Sequence, residues 1–450
     1  MDRARRGFIA GLGAVGACAA LTACRRPSAC PSDQPRGSEA KPHEAADPGA
    51  PFAALAGFCA DASPIATAEY EDRIERVRAQ LADAGQAALI IEGGVDMRYF
   101  GGPAWGLSER PLLLVIPCDA DPVLIGPAFE RNTLEARQGG LSFALRSWEE
   151  HESPYALVRG ALDDAKLDQS ALVATGPTMR SFVSEGLRAA AGRRGQGLGA
   201  AAIDRCRRVK SAAELALLRR ANEATKAAIA AVAPLAEVGM REAEFADLIR
   251  AAQRAAGLEG VWVLALFGPN AAYPHGTPEG RTLADGDLIL VDTGGFLHGY
   301  ASDITRTWAF PDPSVVDDER RRAWTVVHAA QTAALAAMQP GVRCARVDAA
   351  AREVIAAAGF DPDYGQFTHR LGHGIGMEVH EAPYLVRDSD QRLEVGNTMS
   401  NEPGLYLPGE FGIRLEDIVA IGETGPEVFG PRASSLDQPF GPSEHNWGVI

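Results

Sequence analysis

The sequence predicts a compact α/β domain followed by an α+β domain made of two similar halves. Three observations predict this. A chain of 450 residues can hold two cores. From residue 65 to 202, apolar runs of strand length alternate with stretches of helical periodicity. From residue 203 to 433, the order helix, helix, paired strands occurs twice. The composition, 46% hydrophobic and 23% charged, is that of a globular protein.

Taken in order, Tyr70, Ile74, Val77 and Leu81 fall at helical spacing, and Gly85 is placed to end that helix. Apolar strands are expected at Ala87–Ile91, Leu112–Cys118, Pro122–Ile125 and Leu172–Thr175. Tyr99-Phe100-Gly101-Gly102 reads as core in preference to a capping element. The second domain opens at Ser211-Ala212-Ala213-Glu214, a capping box. Leu217, Ala221, Ala224, Ala228 and Val232 then form one apolar helix face before Pro234, and Phe245, Leu248, Ile249 and Ala252 mark a second helix before Gly257. Strands follow at Val261–Phe267, Leu288–Val291 and Tyr300–Phe310, with Gly294-Gly295 expected to turn the chain. The second half repeats this: a helix through Trp324, Val327, Ala334 and Met338, another through Val347, Ala351, Val354 and Ile355, then strands around Gly396–Glu402 and Phe411–Ile421. His328 lies beside Val327 and reads as core. A cleft between the halves is where a site is expected.

The first 23 residues stand apart. Arg3, Arg5 and Arg6 precede an uncharged Ala/Gly-rich stretch, the layout of an export signal. Arg5-Arg6-Gly7-Phe8-Ile9 resembles the twin-arginine signal, and Leu21-Thr22-Ala23-Cys24 a bacterial lipobox, which implies export to the cell envelope and a lipid on Cys24. Residues 24–64, rich in Pro, Ala and Gly, are expected to be a flexible tether, and residues 434–450 a C-terminal tail. A formal charge of −15 argues against a nucleic-acid partner. No later apolar run is long enough to span a bilayer, so the membrane is expected only through the lipid anchor. The remaining cysteines show no Cys-x-x-Cys pair and no disulfide pattern.

The chemistry lies in polar residues set where strands should be apolar. Leu288-Ile289-Leu290-Val291 ends in Asp292, and the return strand carries Asp303. In the second half Glu402 follows a strand and precedes Pro403-Gly404, Glu416 lies on the return strand, and His373 sits in Gly372-His373-Gly374-Ile375-Gly376. Carboxylates near a core cost several kcal/mol each without a partner, and a shared cation is the simplest remedy. Four acids and one imidazole carry too much charge for one divalent ion. Two ions bridged by carboxylates would balance them. Oxygen-rich ligation favours Mn²⁺, Fe²⁺ or Co²⁺ over a thiolate zinc site, with Zn²⁺ still open. There is no Gly-x-Ser-x-Gly elbow, no His-Glu-x-x-His helix and no Walker loop.

In order and context, Asp292, Asp303, His373, Glu402 and Glu416 resemble the metal ligands of the pita-bread metallopeptidases: aminopeptidase P, prolidase and methionine aminopeptidase. Val291-Asp292-Thr293-Gly294, Ser400-Asn401-Glu402-Pro403-Gly404 and Gly412-Ile413-Arg414-Leu415-Glu416-Asp417 look like family signatures. The similarity covers residues 203 to 422, and the preceding domain resembles that of the Xaa-Pro branch. The resemblance implies a creatinase-like N-terminal domain, a pita-bread catalytic domain with two pseudo-symmetric halves, and two divalent metal ions, manganese first. It implies hydrolysis of peptide bonds before proline, on peptide substrates. It also implies that His275, His369 and His380 bind the substrate carbonyl and stabilise its oxyanion, and that Arg414 holds a carboxylate near the metals. Glu402 is best placed to carry the proton from water to the leaving nitrogen. A homodimer is a further expectation. Competing readings are a metal-free amidinohydrolase, as in creatinase, and a non-catalytic peptide-binding lipoprotein. For export, Arg5→Lys together with Arg6→Lys is expected to hold the protein in the cytoplasm. Cell fractionation checks this, and unchanged export would count against a twin-arginine route.

Overall fold

The computed structural model describes residues 50–441, apart from residues 191 and 193. The export signal, the lipobox, the first part of the expected tether and the end of the tail lie outside the described residues.

The N-terminal domain runs α1 (Thr67–Asp83), β1 (Gln86–Glu92), α2 (Val95–Tyr99), β2 (Leu113–Pro117), β3 (Val123–Pro127), α3 (Arg131–Ala136), β4 (Ala144–Trp148), α4 (Pro154–Asp164), β5 (Leu172–Thr175), α5 (Ser181–Ala190), β6 (Gly195–Leu198) and α6 (Ala200–Arg208). Its six strands form one mixed sheet in the order β4-β3-β2-β1-β5-β6. Apolar side chains cover both faces. Ile90, Val115 and Val173 pack against α4 and α5, whereas Leu89, Leu114 and Ile116 face α1 and join a core that continues into the next domain. Tyr99 and Phe100 are buried there, a core role.

The C-terminal domain begins with α7 (Ala212–Val232), whose capping box is formed: Ser211 Oγ accepts from Glu214 N–H, and the Glu214 carboxylate accepts from Ser211 N–H. Then come α8 (Glu242–Ala255), β7 (Glu259–Phe267), β8 (Leu288–Leu297), β9 (Tyr300–Ala301) and β10 (Ile304–Ala309). The second half contains α9 (Asp318–Ala337), α10 (Cys344–Ala357), β11 (Gly372–Gly374), β12 (Glu381–Leu385), β13 (Thr398–Asn401), β14 (Gly404–Leu407), β15 (Phe411–Arg414), β16 (Asp417–Gly422) and β17 (Gly425–Val428). The first half's sheet has the order β10-β8-β7 with β9 on β8. The second half's is β12-β11-β13-β16-β17, with β14-β15 as a separate pair. Two helices and a sheet thus occur twice. The halves are stitched where Glu416 N–H donates to Thr305 O and Thr307 Oγ1 donates to Arg414 O.

Four expectations need correction. Gly294-Gly295 is not a turn: β8 continues to Leu297, and the reversal is the two-residue hairpin His298-Gly299, both at positive φ. A Cβ on Gly294 would lie 1.9 Å from the Ser302 carbonyl oxygen, so glycine is there to admit a neighbouring backbone. Next, the predicted strands Tyr300–Phe310 and Phe411–Ile421 are each interrupted, at Ser302-Asp303 and at Leu415-Glu416, so each acid sits in a break. Finally, the tether ends earlier than residue 64. Phe52, Leu55 and Cys59 are buried in the core shared with α7 and α8, because three apolar side chains suffice to dock a short 3₁₀ turn. At the other end Leu436 is buried and Phe440 packs edge-on against Trp308, at 5.4 Å between centroids, so the expected tail is packed as far as residue 441. His328 stacks on Trp324.

Gly294→Ala is expected to cost at least ~2 kcal/mol, because the carbonyl it meets is held in the hairpin and cannot yield. Urea unfolding measures this, and a loss below ~0.5 kcal/mol would show that the backbone relaxes freely.

Candidate metal centre

One strand position and three positions between strands bring four carboxylates to one point. Asp292 lies mid-strand on β8, opposite Thr305 of β10 and Leu264 of β7. Asp303 occupies the break between β9 and β10, where its N–H is taken by Asn222 Oδ1 of α7. Glu402 follows β13, and Glu416 fills the break between β15 and β16, with Thr305 Oγ1 donating to its Oε2 at 2.7 Å. His373 comes from β11, paired with both β12 and β13.

The geometry groups these residues into three overlapping triads: Asp292, Asp303 and Glu416; His373, Glu402 and Glu416; and Asp303, His373 and His380. Within each triad, one ligand atom per residue lies within 4.8 Å of the others. All five residues expected as ligands are therefore together, with His380 beside them. Asp303, His373 and Glu416 are buried, and Asp292 and Glu402 are nearly so.

Electrostatically this is an unbalanced site. Burial, then repulsion from Glu416, Asp292 and Glu402, pushes the Asp303 carboxyl well above its usual range. Burial and the charges of Glu402 and Asp292 do the same to Glu416. Burial would also raise Glu402, but its hydrogen bond with His373 and the charges of His373, His369 and Arg414 bring it down to about 2. Three carboxylate oxygens, Asp292 Oδ1, Asp303 Oδ1 and Glu416 Oε1, are buried without any hydrogen-bond partner. Buried acceptors are almost always satisfied, so three orphans aimed at one spot fit a divalent cation. The imidazole fits as well. His373 Nδ1–H donates to Gly374 O at 3.1 Å, which leaves Nε2 facing Glu402 Oε1 at 3.2 Å and Asp303 Oδ2 at 3.6 Å. That orientation is what a ligating histidine needs.

The centre opens into a cleft of about 570 Å³ lined by Trp262, Leu264, Pro274 and Val379 on its apolar side. His275, His369, Arg370, His380 and Arg414 also line it. His275 is exposed and makes no side-chain hydrogen bond among the described residues. The His380 ring lies edge-on to His373, 4.1 Å between centroids. Burial holds His380 below the usual histidine value, as it does His369, so both favour the neutral form. His369 differs from the other two in that both ring nitrogens are engaged: Nδ1–H donates to Arg370 O, and Nε2 accepts from Tyr406 O–H, each at 2.8 Å. A direct hydrogen bond from His369 to a substrate carbonyl would require breaking one of these, so its expected role needs revising. Arg414 reaches Asp292 Oδ2 at 2.5 Å, Tyr406 Oη at 2.7 Å and Thr305 Oγ1 at 3.1 Å.

Several functional neighbours escaped the sequence reading. Tyr406 links His369 to Arg414. Asp348 and Arg352, one turn apart on α10, hold the whole segment that carries His369 and His373. Arg352 donates to His369 O at 2.8 Å and to Asp348 at 2.7 Å, while Asp348 accepts from Leu371 N–H. In the first half Glu242, at the start of α8, does the corresponding work for His275. Its carboxylate accepts from Phe267 N–H, Arg281 N–H and Asn270 Nδ2, and Asn270 Oδ1 accepts from Thr277 N–H. For Tyr406, Asp348 and Asn270 the available signal was a polar residue between apolar neighbours, whereas Glu242 and Arg352 sit beside Arg241 and Glu353 and carried none. Arg207 supplies a third tie, joining Asp96 of the N-terminal domain to Glu378 and Glu381, which flank His380.

Fold and centre together define a metal-dependent enzyme with an α/β N-terminal domain. Comparison with known proteins narrows this class. Residues 216–423 match metallopeptidase family M24, and residues 73–207 match the creatinase/prolidase N-terminal domain. A probable dipeptidase PepE of Mycobacterium tuberculosis is 36% identical over 360 residues, covering 79% of this chain and 93% of the relative. The crystal structure of dipeptidase PepE from Mycobacterium ulcerans superposes with a TM-score of 0.76 at 36% identity, covering 83% of this chain and 99% of that one. That of a prolidase from Thermococcus sibiricus gives 0.71 at 27% identity, covering 80% and 96%. The chain belongs to metallopeptidase family M24, in its two-domain, pita-bread form.

Asp303→Asn is expected to raise the stability of the metal-free protein while weakening its response to metal. The sign follows from linkage. A carboxyl raised on folding holds a proton that the unfolded chain has released, so metal-free stability falls as pH rises from about 4 through the raised value. The amide removes that fall. In chelator the variant should match wild type near pH 4 and exceed it by on the order of 1–2 kcal/mol at pH 8. Added Mn²⁺ should raise the melting temperature of wild type only. Thermal melts across pH check both, and a variant less stable than wild type at pH 8 in chelator would refute the repulsion argument.

Proposed function

We propose that the protein hydrolyses short peptides with two divalent metal ions, manganese first among Mn²⁺, Co²⁺, Fe²⁺ and Zn²⁺, and that it acts on Xaa-Pro bonds. The observation that carries this reading is the set of three triads sharing Asp303, His373 and Glu416 around three orphan carboxylate oxygens. Four acids exceed what one divalent ion neutralises, which favours two. Asp292, Asp303, His373, Glu402 and Glu416 would hold them. When bound, such ions supply Lewis acidity that brings the pKa of water from near 16 toward ~7 and polarises a carbonyl.

The chain's own residues do the rest. Glu402 is a carboxylate held ionised beside His373, free to accept a proton from water and return it to the leaving nitrogen. Ser400 O–H donates to Glu402 Oε1 at 3.0 Å and fixes its rotamer. A neutral His380 can donate an N–H to charge developing on the scissile carbonyl without adding net charge, and exposed His275 lines the same cleft. Arg414 and Tyr406 keep Asp292 and His369 in place. The apolar wall of Trp262, Leu264 and Val379 suits a proline ring or another apolar side chain. Relatives described as a dipeptidase and a prolidase support this substrate class. An intact acid set also favours it over the metal-free amidinohydrolase and the non-catalytic lipoprotein. Export to the cell envelope with a lipid on Cys24 remains part of the proposal.

A panel of Xaa-Pro and Xaa-Ala peptides assayed with Mn²⁺ and with chelator tests the reading. Turnover is expected only with metal and fastest on Xaa-Pro. His380→Ala should lose on the order of 10²-fold in rate with metal content unchanged, measured by steady-state kinetics and metal analysis of the same sample. Full turnover in chelator would overturn the mechanism.

A further inference from the structure

We infer that the joint between the two domains holds an anion site, built for a doubly charged tetrahedral oxyanion: phosphate, free or as the monoester of a small molecule. The site shares no lining residue with the metal cleft and does not depend on the peptidase reading.

A cleft of about 550 Å³ opens where α1, α2 and the loop after α3 meet the β8–β9 hairpin and Met377. Arg98 and Arg137 both line it, and no aspartate or glutamate does. In a chain of formal charge −15 this is a local reversal of sign. Neither guanidinium makes an ion pair or a side-chain hydrogen bond among the described residues. The adjoining cleft along α7, about 490 Å³, gives the contrast. It also has two arginines, but there Arg219 pairs with Glu427 and Arg220 with Asp61. His298 lines the anion cleft too, with its Nε2 engaged at Ala62 O at 3.3 Å, so the two guanidiniums are the charges that remain to be met.

The walls are shaped by close approach. A Cβ on Gly299 would stand 2.6 Å from Arg98 Nη2, so the hairpin glycine makes room for the guanidinium. A Cβ on Gly140 would stand 2.0 Å from the Tyr70 ring, and one on Gly139 would stand 2.1 Å from Gly102 O. The glycine pair therefore lies flat against α1 and the loop after α2, and Leu141 N–H pins it there by donating to Gly101 O at 3.0 Å. The N–H groups of Gly139 and Gly140 have no partner among the described residues, nor has the Tyr70 hydroxyl. Two guanidinium forks, two backbone N–H groups and a phenol thus face one cleft as donors without an acceptor. A tetrahedral dianion brings two charges and at least three free oxygens to that set, whereas a monocarboxylate brings one charge and two oxygens. The cleft is larger than one phosphate, which leaves space for the organic part of an ester.

The experiment titrates the full chain, stripped of metal and then freed of chelator, with inorganic phosphate, glycerol 3-phosphate and acetate by isothermal titration calorimetry. Stripping the metal removes the other cation to which phosphate could bind. Wild type should take up one equivalent of phosphate or its ester with a Kd below about 1 mM, and acetate at least about 10-fold more weakly. Arg98→Met and Arg137→Met should each weaken binding by on the order of 10-fold, with Arg98→Lys in between, and with the melting temperature in phosphate-free buffer as in wild type. The tighter of phosphate and glycerol 3-phosphate identifies the source of the oxyanion. Binding unchanged in both methionine variants, acetate bound as tightly as phosphate, or no binding of either phosphate overturns the site. Arg137 is exposed, so Arg137→Met decides the matter alone if Arg98→Met fails to fold.

Discussion

Mutual repulsion among buried acids is the constraint around which this molecule is arranged. Asp292, Asp303, Glu402 and Glu416 would not stay together in a protein interior on their own account. The fold holds them there by rigid means: strand pairing on both sides of Asp292, Asn222 at the Asp303 break, Thr305 at Glu416, Ser400 at Glu402. Such strain persists where the surrounding structure over-determines it, and a centre built this way gains strongly from a cation.

The duplicated layout explains how two separate stretches of chain converge. The first half contributes Asp292 from within a strand and Asp303 from a break, the second contributes Glu402 and Glu416 from between strands, and the seam between halves carries the hydrogen bonds that align them. Each half also uses a buried acid on its second helix to hold the loop that delivers a histidine: Glu242 for His275, Asp348 with Arg352 for His369. These acids act on backbone N–H groups in neighbouring loops, so the histidines inherit their positions from helices and not from the loops themselves.

How much was legible follows from the range of each signal. The helices and most strands were readable because periodicity and capping are local, and Ser211 with Glu214 is an example. The five acid and imidazole positions were readable because a polar residue in an apolar strand context needs a reason. Gly294 was misread because a glycine that admits another backbone and one that turns the chain look alike in sequence, and only the Ser302 carbonyl distinguishes them. Tyr406, Asp348, Arg352 and Glu242 were missed because their partners are set by packing between distant segments. The early docking of Phe52 and Leu55 was missed because composition averages over a window and hides a few well-placed apolar side chains.

The tie at Arg207 has a mechanical outcome. One guanidinium grips Asp96 on one body and the acids flanking His380 on the other, while Lys210 also bonds to Glu381. Any rocking of the first domain would therefore pull on the strand end that presents His380. The position of His380 in the cleft is therefore set partly by the first domain, through a single guanidinium.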